Sequence, residues 1–82
     1  MSDPSSLQHD DEVDASGLLC PLPLLKGKRA LNRLAAGQVL RVIATDPGAP
    51  QDFRDFAEMS GHELLATRSD GERHLIWLRK SA

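Results

Sequence analysis

The sequence predicts an α+β domain, a two-layer sandwich of order β-α-β-α-β-β in which a four-stranded mixed sheet carries two helices on one face. Three observations predict it. Two segments with helical spacing of apolar residues each lie between runs rich in β-formers, Gly or Pro punctuates the junctions, and the last two β-type runs flank Asp70-Gly71, a strong hairpin signal. Strands that alternate with helices before a terminal hairpin pack most simply as a mixed sheet with its helices together. At 82 residues the chain has room for one core, since a domain this small buries roughly 60% of the surface its unfolded chain exposes.

Taken in order, residues 1–10 are polar, contain Pro4, Ser5 and Ser6, and show no periodicity, so they read as a flexible N-terminal arm ahead of a domain over 11–82. Glu12-Val13-Asp14-Ala15 alternates and is stopped by Ser16-Gly17, a short strand and its turn. From Pro21 to about Ala36 the chain reads as a helix, with Pro near its start, Leu, Lys, Arg and Ala within it, and Gly37 after it. At about 100° per residue, Leu24, Gly27, Leu31, Leu34 and Ala35 gather on one face and Lys26, Arg29 and Arg33 on the other. Gly27 in that apolar stripe costs about 1 kcal/mol against Ala, which predicts a close approach of the helix to the sheet.

Gln38 to Thr45 is a strand rich in Val, Leu and Ile, ended by Asp46-Pro47-Gly48. A second helix follows: Pro50 suits its first turn, Asp52 is an acid near its N-terminus, Phe53, Phe56 and Ala57 repeat at helical spacing, and Gly61 fits its stop. Glu63–Ser69 and Arg73–Lys80 form the hairpin. Trp77 alternates with Ile76 and Leu78 on the last strand, so it either packs in the core or looks outward as a partner surface.

Composition narrows the function classes. A formal net charge of −2 offers no general attraction to phosphate backbones, and no aromatic residues interleave with the basic ones to stack on bases, so direct nucleic-acid binding is not expected. Every residue from Ala15 through Thr45 is neutral or basic, whereas Asp and Glu crowd the flanking segments, an asymmetry that can orient a partner. No run approaches the roughly 20 apolar residues needed to span a bilayer, and the N-terminus has no basic-then-apolar signal pattern, so no membrane role is expected and the cytoplasm is the predicted location. His9, His62 and His74 lie far apart and, with one Cys, lack the close ligand spacing of a zinc site; no metal or other cofactor is expected.

The segment with chemical character is Leu19-Cys20-Pro21-Leu22-Pro23, which sets the single cysteine where a loop becomes a helix. A lone cysteine closes no intrachain disulfide and in a reducing compartment is a free thiol. A helix N-terminus carries about half a positive charge and unpaired N–H donors, both of which favour a thiolate, the reacting form. If Cys20 is the N-cap, Pro21 and Pro23 fall at the first and third helical positions as structural support, and the Leu22 N–H is the expected donor to sulfur. Leu22 precedes a proline, which disfavours helical angles and predicts a distorted opening turn. A buried, inert cysteine is the commoner fate of that residue type; the loop-to-helix position argues instead for exposure.

Cys20-Pro21-Leu22-Pro23-Leu24-Leu25-Lys26, Ala44-Thr45-Asp46-Pro47-Gly48 and Gly61-His62-Glu63-Leu64-Leu65 resemble the TusA/SirA-like sulfur-carrier family, over about Val13 to Lys80. The resemblance implies the same β-α-β-α-β-β sandwich. It also implies that Cys20 accepts sulfane sulfur as a persulfide from a cysteine desulfurase or rhodanese-type donor and passes it to an acceptor protein with a reactive cysteine. Such routes include tRNA thiolation, molybdenum-cofactor maturation and sulfur oxidation. This is a sulfurtransferase-type relay rather than a conventional small-molecule enzyme, and a carrier that meets successive partners is expected to act as a monomer.

Other residues are weighed beside that expectation. Asp46 follows a strand predicted to run parallel to the first, which makes it a candidate neighbour of Cys20. An Asx turn with Pro47-Gly48 is the favoured reading, because a carboxylate beside a thiolate raises the thiol pKa. Lys26, Arg29 and Arg33, with Leu22 and Leu25 near them, could dock a partner or simply face solvent. A non-catalytic regulatory or protein-binding module of the same fold is the alternative function. A redox sensor ranks third, because the chain holds no resolving thiol, and a thioredoxin-like enzyme lower still for want of its second cysteine.

Overall fold

A computed structural model describes residues 8–81, so the first seven residues of the expected arm lie outside the described residues. The elements are β1 (Asp11–Ala15), α1 (Leu22–Arg33), β2 (Val39–Ala44), α2 (Ala49–Ser60), β3 (Glu63–Asp70) and β4 (Arg73–Arg79). Asp10 is already tied to the sheet: its N–H donates to the Val39 carbonyl and its carboxylate accepts the Val39 N–H, both at 2.8 Å.

The four strands form one sheet in the order β1-β2-β4-β3. β1 and β2 are parallel, with Val13 beside Val42 and Ala15 beside Ala44, and the other two pairings are antiparallel. Leu40 and Val42 stand opposite Leu78 and Ile76 across β2 and β4. These four, with Ala44, form one buried cluster with Ala30 and Leu31 of α1 and Ala49, Phe53 and Ala57 of α2. Both helices therefore cover the same sheet face, and the expected two-layer α+β sandwich is the observed one. No helix among the described residues is long and apolar enough to cross a membrane.

Trp77 lies on the other face, opposite Arg41, and is fully buried. On that face the Arg41–Glu12 pair joins β2 to β1 and the Arg79–Glu63 pair joins β4 to β3. A register shift between Leu64 and Ala66 lies beside Trp77.

α1 ends at Arg33, three residues before the expected Ala36. The Leu34 N–H tightens onto the Leu31 carbonyl at 3.0 Å, and Leu34 then turns extended with ψ 155°. The Gln38 side chain accepts the Ala35 N–H at 2.7 Å, and the Gly37 N–H donates to the Lys80 carbonyl at 2.8 Å. These bonds replace the last helical turn. Ala35 is consequently exposed rather than on the core face, and Ala30 and Pro23 supply buried positions that the stripe omitted. α2 stops at Gly61, whose φ of 84° belongs to the left-handed region that favours glycine.

Gly27 does mark a close approach, but to the other helix. A Cβ at this position would lie 2.6 Å from Phe53 Cε1 and 2.7 Å from Cζ, against 3.7 Å from the Val42 side chain on the sheet. The absent methyl lets the Phe53 ring of α2 rest on the α1 backbone. Gly27→Ala is expected to lower the melting temperature despite the better helix propensity of Ala, because overpacking costs about 1–3 kcal/mol and the propensity gain offsets only about 1. A thermal double-mutant cycle with Phe53→Leu checks the cause: the Ala penalty should shrink when the ring is gone, and an unchanged penalty would assign it elsewhere.

Candidate functional site

The parallel pairing of β1 with β2 makes both chains leave the sheet at the same edge, Ala15 next to Ala44. After β1, the Ser16 N–H donates to Asp14 Oδ1 at 3.0 Å and the Leu18 N–H to the Ala15 carbonyl at 3.1 Å. The Asp14 carboxyl is held below the usual carboxylate range, chiefly by these bonds from Ser16. The Gly17 N–H donates to Thr45 Oγ1 at 2.8 Å and so latches this loop to the end of β2. Gly17 has φ 80°, which a residue with a side chain adopts only at a cost. The loop then delivers Cys20, which is exposed.

After β2, Asp46 opens the second loop. Its carbonyl accepts the Ala49 N–H at 3.0 Å, and the Asp52 N–H donates to the Gly48 carbonyl at 3.0 Å, which starts α2. Asp52 thus sits in the first helical turn, on the same edge as Cys20. The Cys20 Sγ donates to Asp52 Oδ2 at 3.1 Å. Ligating atoms of Cys20, Asp46 and Asp52 all lie within 4.8 Å of one another. Asp46 Oδ2 is buried with no hydrogen-bond partner among the described residues, so this oxygen closes no Asx turn.

The start of α1 differs from expectation. Pro21, not Cys20, is the N-cap, with φ −97° and ψ 15°, and the helix begins at Leu22, which makes Pro23 its second residue. The Cys20–Pro21 peptide bond is cis. The Leu22 N–H donates to the Leu19 carbonyl at 2.9 Å, so it is spent closing a turn and does not reach the sulfur. Pro23 is buried while Pro21 and Leu22 are exposed.

These placements reverse the expected charge state. Cys20 lies just outside the helix, and its pKa is raised, first by the hydrogen bond to Asp52, then by desolvation, then by the negative charges of Asp52 and Asp46. A short contact that needs the proton outweighs the diffuse positive end of a helix whose nearest amide is already used. The surroundings of Cys20 thus favour the neutral thiol.

Around it, Leu19, Leu22 and Leu25 are 70%, 48% and 47% exposed. Leu18, Leu22, Leu25, Lys26 and Arg29 line one groove, and Lys26, Arg29 and Arg33 line another with Glu12, Val13 and Asp14. An apolar patch with a basic border therefore adjoins the cysteine. As donors for a cation, Cys20, Asp46 and Asp52 combine one soft and two hard groups without histidine, which matches neither the zinc nor the all-oxygen pattern.

Asp52 is the site residue that sequence reasoning missed, having been read only as an acid that suits a helix N-terminus. A signal existed. A helix that starts directly after a strand parallel to β1 must put its first turn at the edge where Cys20 emerges.

The family model described as Sulfurtransferase TusA matches residues 11–80. The Sulfur carrier protein TusA of Allochromatium vinosum is 50% identical over 72 residues, 88% of this chain and 95% of that protein. The Putative sulfur carrier protein YrkI of Bacillus subtilis is 39% identical over 74 residues, 90% of this chain and 99% of that one. Among solved structures, the SirA-like protein from Desulfitobacterium hafniense superposes with a TM-score of 0.78 at 25% identity, covering 89% of this chain and all of its own.

The carboxylates dictate the pH response of the thiol. Since the neutral form is favoured, iodoacetamide alkylation of Cys20 should rise with a midpoint above that of an unstructured cysteine peptide. Asp46→Asn removes one of the opposing charges and should bring the midpoint down. An alkylation midpoint below that of the peptide would contradict this electrostatic picture.

Proposed function

This chain belongs to the sulfurtransferase TusA family, and on that premise we propose that it carries a sulfane sulfur as a persulfide on Cys20 and relays it between two proteins. The observation that carries the proposal is the position of the thiol: the sole cysteine is exposed at the sheet edge where loops of α/β proteins present their chemistry. With no second cysteine in the chain, both exchange partners must come from outside.

The reaction is two thiol exchanges. The Cys20 sulfur attacks the outer sulfur of a donor persulfide and becomes Cys20–S–SH; a cysteine of the acceptor then attacks that outer sulfur and releases the Cys20 thiol. Exchange of this kind depends on thiolate character and access. Pro21 and Pro23 stiffen the approach by fixing φ on either side of Leu22.

A cysteine desulfurase or a rhodanese-type protein is the donor class, and a protein with a reactive cysteine is the acceptor. The exposed leucines with Lys26, Arg29 and Arg33 form the docking side, suited to an apolar contact ringed by acidic groups. A monomer in the cytoplasm, where a single thiol stays reduced, meets both partners in turn. The acceptor decides whether the sulfur reaches a tRNA base, a molybdenum cofactor or another product.

Incubation with a cysteine desulfurase and cysteine, followed by intact mass measurement, is expected to show one added sulfur that a reductant removes and that Cys20→Ser abolishes. No gain with several donors would return the chain to a non-catalytic binding module. Leu22→Glu combined with Leu25→Glu is expected to slow loading from the desulfurase about tenfold, the effect of about 1.4 kcal/mol of lost docking, while loading from a small-molecule persulfide is unchanged. Equal slowing with both donors would argue against a docking role.

A further inference from the structure

We propose that Asp52 is the catalytic base of sulfur loading, taking the proton from Cys20 as the donor persulfide is attacked and returning it to the donor's departing sulfur. The inference rests on the carrier reading of Cys20 and adds the proton path. The Sγ–Oδ2 contact of 3.1 Å already joins the group that must lose the proton to one that can receive it. The Asp52 carboxylate stands on the first turn of α2, anchored by its own N–H to the Gly48 carbonyl, so it needs no rearrangement to act.

Asp52 is the base in hydrogen-bond contact with the sulfur. Asp46 shares the cluster within 4.8 Å without a hydrogen bond to sulfur. His62 Nδ1 faces Ser81, and His74 Nδ1 faces Ser69. With two carboxylates beside it, Cys20 forms little free thiolate at neutral pH, yet only the deprotonated sulfur attacks. A base in direct contact resolves this by removing the proton as the new bond forms.

The step balances. The Cys20 S–H proton passes to the Asp52 carboxylate, and the Sγ electron pair bonds to the outer sulfur of the donor R–S–SH. The donor S–S bond breaks, and its inner sulfur leaves as a thiolate that takes the proton back from Asp52. The products are R–SH and Cys20–S–SH. The Cys20 sulfur is oxidised by the amount that the donor's inner sulfur is reduced, and no outside oxidant is needed. Once loaded, Sγ has no hydrogen to give Asp52, and the two carboxylates repel an anionic outer sulfur towards solvent.

Asp52→Asn separates this role from a purely electrostatic one. With glutathione persulfide as donor at pH 7, uptake followed by intact mass is expected to slow about 10²-fold, the typical contribution of a positioned base, even as the alkylation midpoint of Cys20 moves to lower pH. Asp52→Glu should regain part of the rate. Uptake by Asp52→Asn as fast as, or faster than, that of the unsubstituted protein would overturn the proposal, leaving Asp52 as a charge that merely suppresses thiolate. A second measurement does not depend on any variant folding: loading of the unsubstituted protein should slow in D2O, and an isotope ratio of one would also overturn it. If the unsubstituted protein takes up no sulfur, the carrier reading itself fails, a result distinct from either of these.

Discussion

The parallel pairing of β1 with β2 is the constraint on which the site depends. Antiparallel strands would send their ends to opposite edges; parallel ones release Ser16 and Thr45 side by side. The Gly17 to Thr45 bond then holds the two loops together. Because the connection between the strands is α1 and the chain after β2 enters α2, both helices start at this edge. Gly27 completes the arrangement by letting Phe53 lie against the α1 backbone, so the helices approach closely enough for the Cys20 loop to meet the first turn of α2. A fold decision made far from the sulfur thereby selects its hydrogen-bond partner.

Two electrostatic influences compete at that point. The start of α1 favours an anion, but Leu22 uses its amide on Leu19 and the flanking prolines have none to offer. Asp52 and Asp46 favour the neutral thiol at contact range. The outcome is a cysteine that is reachable yet resting in its less reactive form. For a carrier this is useful, since the exposed thiol resists adventitious alkylation and oxidation and gains reactivity when a donor's sulfur is presented beside a proton acceptor. The apolar patch of Leu19, Leu22 and Leu25 and the basic residues along α1 are the surface proposed for that presentation.

Much of this was legible in the chain. Alternating β-type runs, the helical spacing of Leu24, Gly27 and Leu31, and Asp70-Gly71 located all six elements and the two-layer architecture, and Gly61 marked the end of α2. The errors have local causes. α1 was extended over Ala35 and Ala36 because helix propensity cannot reveal that the Gln38 side chain takes the Ala35 amide and the Lys80 carbonyl takes that of Gly37. Gly27 was assigned to the sheet because periodicity shows which face is crowded without showing which element crowds it. At the site, Cys20 and its edge could be placed from strand order, whereas the N-cap could not: the choice between Cys20 and Pro21 turns on where the Leu22 amide donates. Asp52 fell outside the expectation because an acid at a helix start already has a sufficient local explanation.

The claim at the centre of this account is that Cys20 rests as a thiol whose proton is shared with Asp52. Carbon-13 NMR of the unloaded protein, following Cys20 Cβ and Asp52 Cγ through a pH titration, measures it directly. The account predicts the thiol shift at Cys20 throughout neutral pH and a simultaneous change at both carbons when the sulfur ionises at higher pH. A thiolate shift at neutral pH, or an Asp52 signal indifferent to the ionisation of Cys20, would contradict it.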